Sequence, residues 1–130
     1  MKYNELSGTI LEAAIDIHRR LGPGLLESVY QTILAHELTK RGLTVRKEEP
    51  IPLIWDNLRF DIGFRADLIV NEIVLVELKS VEQLAAVHKK QVLTYLRITG
   101  MKLGLFINFG EETLKDGIRR IINGKLDDSE

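Results

Sequence analysis

The stretch Arg65-Ala66-Asp67-Leu68-Ile69-Val70-Asn71-Glu72-Ile73-Val74-Leu75-Val76-Glu77-Leu78-Lys79 decides how the chain is read. Its halves are rich in aliphatic and β-branched residues and are joined through Asn71-Glu72, which predicts a hairpin of strands 65–70 and 73–79. The second half is apolar on both faces until Glu77, the pattern of a central strand. Glu77 and Lys79 stand at i and i+2 and so share a face. An acid and an amine therefore emerge side by side from the middle of the sheet.

Working outward, Leu6, Ile10, Ala13, Ile17 and Leu21 recur at three- and four-residue steps, which predicts a helix capped by Asn4 and ended by Gly22-Pro23-Gly24. A second helix is expected from near Leu25 to about Arg41, with Leu26, Val29, Ile33, Leu34 and Leu38 toward the core and Gly42 closing it. Two short extended segments follow, 43–48 and 51–55. Pro50 and Pro52 favour an edge position there, and Asp56-Asn57 reads as a turn. After Lys79 the pattern predicts a helix from about Glu82 to Thr99, a buried strand 103–109, a last helix from about Leu114 to Ile122, and a frayed polar tail 127–130. The order implies an α/β fold in a single domain, 1–126, with one mixed sheet and helices on its faces.

Composition narrows the function. The chain has 130 residues, 45% hydrophobic, enough for one core without staples. It has no cysteine, which excludes a disulfide framework, a thiolate metal site and a thiol nucleophile. The opening Met1-Lys2-Tyr3-Asn4-Glu5 leads into no apolar stretch and no uninterrupted apolar run reaches 18 residues. Neither a signal peptide nor a membrane span is expected, and the cytoplasm is the expected location. Eighteen Lys and Arg against 19 Asp and Glu give a formal charge of −1, which argues against coating nucleic acid through bulk charge. The basic residues Arg19, Arg20, Lys89, Lys90, Arg97, Arg119 and Arg120 read as solvated helix faces. Any nucleic-acid function must rest on a local site.

Polar residues in positions that packing would give to apolar ones mark such a site. Asp67 lies inside a strand, between Ala66 and Leu68, where an acid is disfavoured. Register decides whether it meets Glu77. A two-residue turn puts Asp67 opposite Val76 on the other face, whereas a three-residue connection at Asn71-Glu72-Ile73, or an equivalent bulge, puts it opposite Glu77. The second is expected. Two facing carboxylates repel unless a cation lies between them, and an all-oxygen donor set favours Mg²⁺ or Mn²⁺ over zinc. The competing reading is a structural surface cluster, with Glu77 and Lys79 as an exposed ion pair.

In the helix after Glu82, a turn of about 100° per residue puts Leu84, Val87, His88, Gln91, Val92, Tyr95 and Ile98 on one side. His88, Gln91 and Tyr95 would then point inward at the sheet, and a buried Gln needs partners for its amide. His88 is the weaker signal, because a lone His is more often a satisfied packing residue. Glu27, in the first turn of the second helix, is explained as well by the helix dipole as by function.

Gly24-Leu25-Leu26-Glu27-Ser28-Val29-Tyr30 resembles the G-x-x-E-x-x-Y signature of a family of small bacterial and archaeal proteins. Arg65-Ala66-Asp67, Glu77-Leu78-Lys79 and Gln91-x-x-x-Tyr95 follow in the same order, and the resemblance spans about Asn4 to Leu126. That family is placed in the PD-(D/E)XK nuclease superfamily, which implies a restriction-endonuclease-like fold with a central mixed sheet flanked by helices. The resemblance further implies that Asp67 and Glu77 are metal ligands, that Lys79 is the catalytic lysine and that Glu27 completes the metal site. Gln91 and Tyr95 match an element that positions the substrate strand, and Tyr30 and His88 are candidates for binding substrate or orienting the site. His18 also stands where the family carries histidine. Ala66 replaces the proline of the superfamily's name, which removes no chemistry.

The function expected is Mg²⁺-dependent hydrolysis of phosphodiester bonds in DNA, with RNA as the other polymer and Mn²⁺ as the other metal. Lys79, flanked by acids, is expected to stabilise charge rather than to take a proton. The rival reading is a catalytically silent module that keeps the fold and binds nucleic acid or protein. The expected partners are nucleic acid and a second copy of the chain, with no membrane.

Overall fold

The computed structural model describes residues 1–127. Helix α1 (Tyr3–Leu21) and helix α2 (Glu27–Lys40) are followed by strands β1 (Val45–Trp55), β2 (Leu58–Val70) and β3 (Val74–Lys79). Helix α3 (Ala86–Thr99), strand β4 (Leu103–Asn108), a 3₁₀ turn (Leu114–Gly117) and strand β5 (Ile118–Ile122) complete the chain. The expected frayed tail lies, from residue 128 on, outside the described residues.

The five strands form one mixed sheet in sequential order, β1-β2-β3-β4-β5. Only β3 and β4 are parallel, joined by α3 as the crossover, and the other neighbours are antiparallel. Helices α1 and α2 cover one face through Leu6, Ile10, Ile17, Leu34 and Leu38, packed on Val76, Leu78, Leu105 and Ile107. Helix α3 covers the other through Val92 and Leu96, packed on Leu75 and Phe106. Strands β3 and β4 are buried on both faces, as their continuous apolar runs predict. Pro50 and Pro52 do lie on the edge strand.

Four local expectations are corrected. Asn4 lies inside α1, one residue past its start, and bonds Arg120 instead of capping the helix. Helix α2 starts at Glu27, and its buried residues are Tyr30, Gln31, Leu34 and Leu38, while Leu26 is 74% exposed. The aromatic ring of Tyr30 stacks on Phe109 at 4.4 Å and rotates the buried seam toward itself. Helix α3 starts at Ala86 because Asn108 holds the Val81 backbone in a non-helical path: its Oδ1 accepts from Val81 N–H (3.0 Å) and its Nδ2 donates to Val81 O (2.9 Å). The expected last helix is a single 3₁₀ turn and a strand. Ile118, Ile121 and Ile122 are β-branched, and a segment this short gains more by pairing with the open edge of β4 than by nucleating a helix.

Gly110 fits because a Cβ there would lie 2.2 Å from Val81 O, a backbone atom that cannot rotate away. Gly110→Ala is expected to destabilise the protein by about 1–3 kcal/mol, read as a lowered denaturation midpoint in urea at unchanged slope.

Candidate active site

The β2–β3 connection sets the site. Asn71 (φ 53°) and Glu72 (φ 59°) adopt left-handed backbone, and Ile73 N–H donates to Val70 O at 3.0 Å to close the tight turn. Ile73 is then an extra residue, and the ladder begins at Val70 with Val74, followed by Ile69 with Leu75 and Leu68 with Val76. This is the three-residue connection expected from the sequence. The next step of that register brings Asp67 to Glu77, on the α3 side with Leu75.

The ladder stops there. Beyond Leu68 the Asp67 side chain replaces it, its Oδ2 accepting from Leu78 N–H at 2.8 Å. Strand β2 also loses its two-residue alternation at this point, since Phe64, Ala66 and Ile69 all pack on the α3 side. Across from the irregularity, Glu48 of β1 is itself left-handed (φ 52°).

Glu77 is 5% exposed and its carboxyl lies within hydrogen-bonding reach of Asp67. Burial, then that contact and the charge of Asp67, push the Glu77 carboxyl up to about 10, against an opposing pull from Lys79. Half-buried Glu27 is raised too, first by burial, with Lys79 drawing it down and Asp67 pushing it up. The Tyr95 phenol is raised by burial and by the charges of Glu77 and Asp67. Asp67, Glu77, Lys79, Glu27 and Tyr95 are thus one electrostatic group, gathered where β2, β3, α2 and α3 meet.

A match to a family model described as the PD-(D/E)XK nuclease superfamily covers residues 4–121. The chain belongs to this superfamily. No curated protein and no solved structure matches it. The five-stranded mixed sheet with its three helices is the restriction-endonuclease-like α/β fold. In this PD-(D/E)XK chain, Asp67 lies on β2, and Glu77 and Lys79 lie on β3.

Other predicted residues lie elsewhere. Gln91 is exposed on α3, so the expectation of a buried amide in need of partners fails. The inward seam of α3 runs through Val92 and Leu96 instead, with Tyr95 beside it, stacked on Phe64 at 3.7 Å. His88 is partly buried, stacked near Phe106 (5.8 Å), and its Nδ1 accepts from Ala85 N–H (3.3 Å) at the start of α3. Tyr30 is fully buried and cannot touch a substrate. Its hydroxyl donates to Gly22 O (2.6 Å) and accepts from Leu25 N–H (3.2 Å), which locks the turn that carries Glu27. His18 is likewise structural, its Nε2 bonded to Glu111 O at 2.8 Å.

Three residues escaped the sequence reading. Asn108, beside Lys79 in the β3–β4 register, clamps Val81 and also accepts from Gly110 N–H. Ser80 donates to Leu25 O at 2.7 Å and ties the end of β3 to the Glu27 turn. Gln31, 5% exposed, aims its amide at Asp67 O. The signal for Asn108 was available, as a lone amide ending a fully apolar strand. The other two depend on the packing of α2 across the sheet end.

Tyr30→Phe keeps the ring stack and deletes both turn bonds. The expected loss is about 1 kcal/mol, with Gly22–Leu25 amide exchange accelerated more than exchange in the sheet.

A divalent cation fits these residues. Among the described residues no three His, Asp or Glu side chains are drawn together tightly enough to enclose an ion. One or two carboxylates with water and substrate phosphate are nevertheless the usual magnesium shell. The charge of Asp67 and burial keep a proton on Glu77, and a cation between the two would take that proton's place and favour both ionised carboxylates.

Proposed function

We propose that the protein is a Mg²⁺-dependent nuclease of the G-x-x-E-x-x-Y branch that hydrolyses phosphodiester bonds of DNA in the cytoplasm, with Mn²⁺ able to replace Mg²⁺. The observation that carries this reading is the pairing of Asp67 with Glu77 beside Lys79, at the carboxyl end of the central strands. Ligands of open α/β sheets bind at such ends.

Asp67 and Glu77 hold the cation, and Glu27 approaches from the start of α2 to complete its ligands. When bound, the cation supplies Lewis-acid polarisation of the phosphoryl group and of a nucleophilic water. Lys79 points the same way as Glu77 and stabilises the negative charge that builds on the phosphoryl oxygens. Glu27 and Glu77 both lie within electrostatic range of Lys79. Asp67 is itself oriented by Leu78 N–H, so one oxygen is committed to the backbone and the other is left for the ligand. Gln91 is exposed one helical turn before Tyr95, a placement suited to contact with the substrate strand.

The deciding experiment incubates purified protein with single-stranded, duplex and structured DNA and RNA, in Mg²⁺, Mn²⁺ or chelator. Metal-dependent cleavage of DNA is expected. Absence of cleavage from every polymer would overturn the reading in favour of a silent binding module, and cleavage of RNA alone would correct the substrate.

A further inference from the structure

Strands β1 and β2 run well past the rest of the sheet. Strand β3 pairs with β2 only from Leu68 onward, so the half of the hairpin around the Asp56-Asn57 turn is a two-stranded arm. Isolated two-stranded hairpins are marginally stable in water and gain stability by packing an apolar face.

This arm has such a face, with half-buried Leu53 at its base beside Thr94, Arg97 and Ile98 of α3 and its outer part open among the described residues. The register pairs Leu53 with Phe60 and Trp55 with Leu58, which puts these four side chains on one side. Trp55 is 68% exposed, Leu58 59% and Phe60 49%. Ile54, Arg59 and Asp61 occupy the other side, where Arg59 pairs with Asp61 at 3.3 Å.

The geometry points to a second copy of this chain as the occupant, two arms packing face to face about a twofold axis. Three observations select it. The arm segment 53–62 carries two acids and one base, the base already paired, so it offers no cationic surface to nucleic acid or to an anionic membrane. Pro50 and Pro52 interrupt the free edge of β1, so a partner extending the sheet is blocked and the face is the surface left. The area is also sufficient. At ~200 Å² for a large side chain, Trp55, Leu58 and Phe60 leave roughly 350 Å² per chain and about 700 Å² for two. With interfaces about 65% apolar, that corresponds to about 1,100 Å² in all, above the ~1,000 Å² that a specific interface clears. An isologous pairing sets the Trp55 end of one arm on the Phe60 end of the other.

Trp55 is the one tryptophan of the chain and reports directly on burial. Sedimentation velocity from about 1 to 500 μM should show a monomer–dimer equilibrium, with Trp55 emission shifting to the blue over the same range. Phe60→Glu should raise the dissociation constant about 30-fold or more while keeping the far-ultraviolet circular dichroism of the wild type. Ile54→Glu, on the opposite side of the arm, should leave it within about threefold. A wild-type monomer throughout the range overturns the proposal, and so does a dimer with unshifted Trp55 emission, which must lie elsewhere. The wild-type measurement needs no variant to fold. None of these readings depends on nuclease activity.

Discussion

Glu77→Ala and Lys79→Ala each lower metal-dependent cleavage by about 10³-fold or more, measured as single-turnover rates on the substrate that wild type cuts best. The two losses have different causes. Without Glu77 the cation loses the carboxylate that faces Asp67, so half-maximal activity moves to higher Mn²⁺ and saturation recovers only part of the rate. Without Lys79 the metal dependence stays in place and the rate at saturating metal falls, because the missing group acts on charge that builds in the transition state. Lys79→Arg keeps the charge but replaces a compact ammonium with a planar fork, and recovers little of the rate. Cleavage by both alanine variants at the wild-type rate would place the chemistry elsewhere or in a contaminant.

In chelator, thermal stability falls as pH rises above about 4.5, and a divalent cation reverses the trend. The direction follows from Glu77, whose folded carboxyl is raised to about 10 from an ordinary value of 4.5. Between those values the native state binds more protons than the unfolded chain, so its stability is fully present below 4.5 and is lost progressively up to about 10. The upward shift of Glu27 adds in the same sense. Mn²⁺ at a hundredfold excess over its dissociation constant restores about 2.7 kcal/mol at pH 8, roughly 10 °C in Tm for a chain of this size. Glu77→Gln removes the carboxyl that the fold keeps protonated at pH 8 while the unfolded chain ionises it. It stabilises the metal-free protein by about 1–3 kcal/mol at pH 8, flattens the pH profile and abolishes most of the metal-induced rise. A metal-free profile that rises from pH 5 to pH 8 would contradict the facing of Asp67 and Glu77.

Both predictions rest on one residue of spacing. With a two-residue turn, Asp67 would face Val76 across the ladder, and the two carboxylates would lie on opposite sides of the sheet. The left-handed pair Asn71 and Glu72 followed by the extra Ile73 prevents this. Period-two reasoning weighed the two connections and favoured the longer one. It could not show that the ladder ends after Leu68, or that a side-chain oxygen takes over the bond to Leu78 N–H. That exchange follows from the loss of alternation in β2 opposite a left-handed Glu48, which has no counterpart in local propensity.

The helices show the same division. Their existence and the glycines that end them were legible because periodicity and chain punctuation are local. Their rotation about their own axes was not. In α2 the stack of Tyr30 on Phe109 buries Tyr30 and Gln31 and leaves Leu26 in solvent, an outcome fixed by a residue 79 positions away. In α3 the clamp of Asn108 on Val81 delays the helix to Ala86, and Gln91 is left outside. The segment after Leu114 departs from its expected helix for a related reason. Five residues carry too weak a periodicity to separate a helix turn from a strand, and the open edge of β4 decides between them.

The sequence by itself determined the order of elements, the central place of the strand that ends in Glu77 and Lys79, and the acid inside its neighbour. Those features depend on side-chain period and on which residue types tolerate burial, properties carried by short windows of chain. Only the tertiary structure decided that Glu27 comes within electrostatic range of Lys79 and that Tyr30 is buried with its hydroxyl on the Gly22–Leu25 turn. It also decided that four apolar residues of the β1–β2 arm share one face, three of them exposed. Each of these is set by how helices and strands distant in sequence pack across the sheet, where a shift of one residue changes which groups meet.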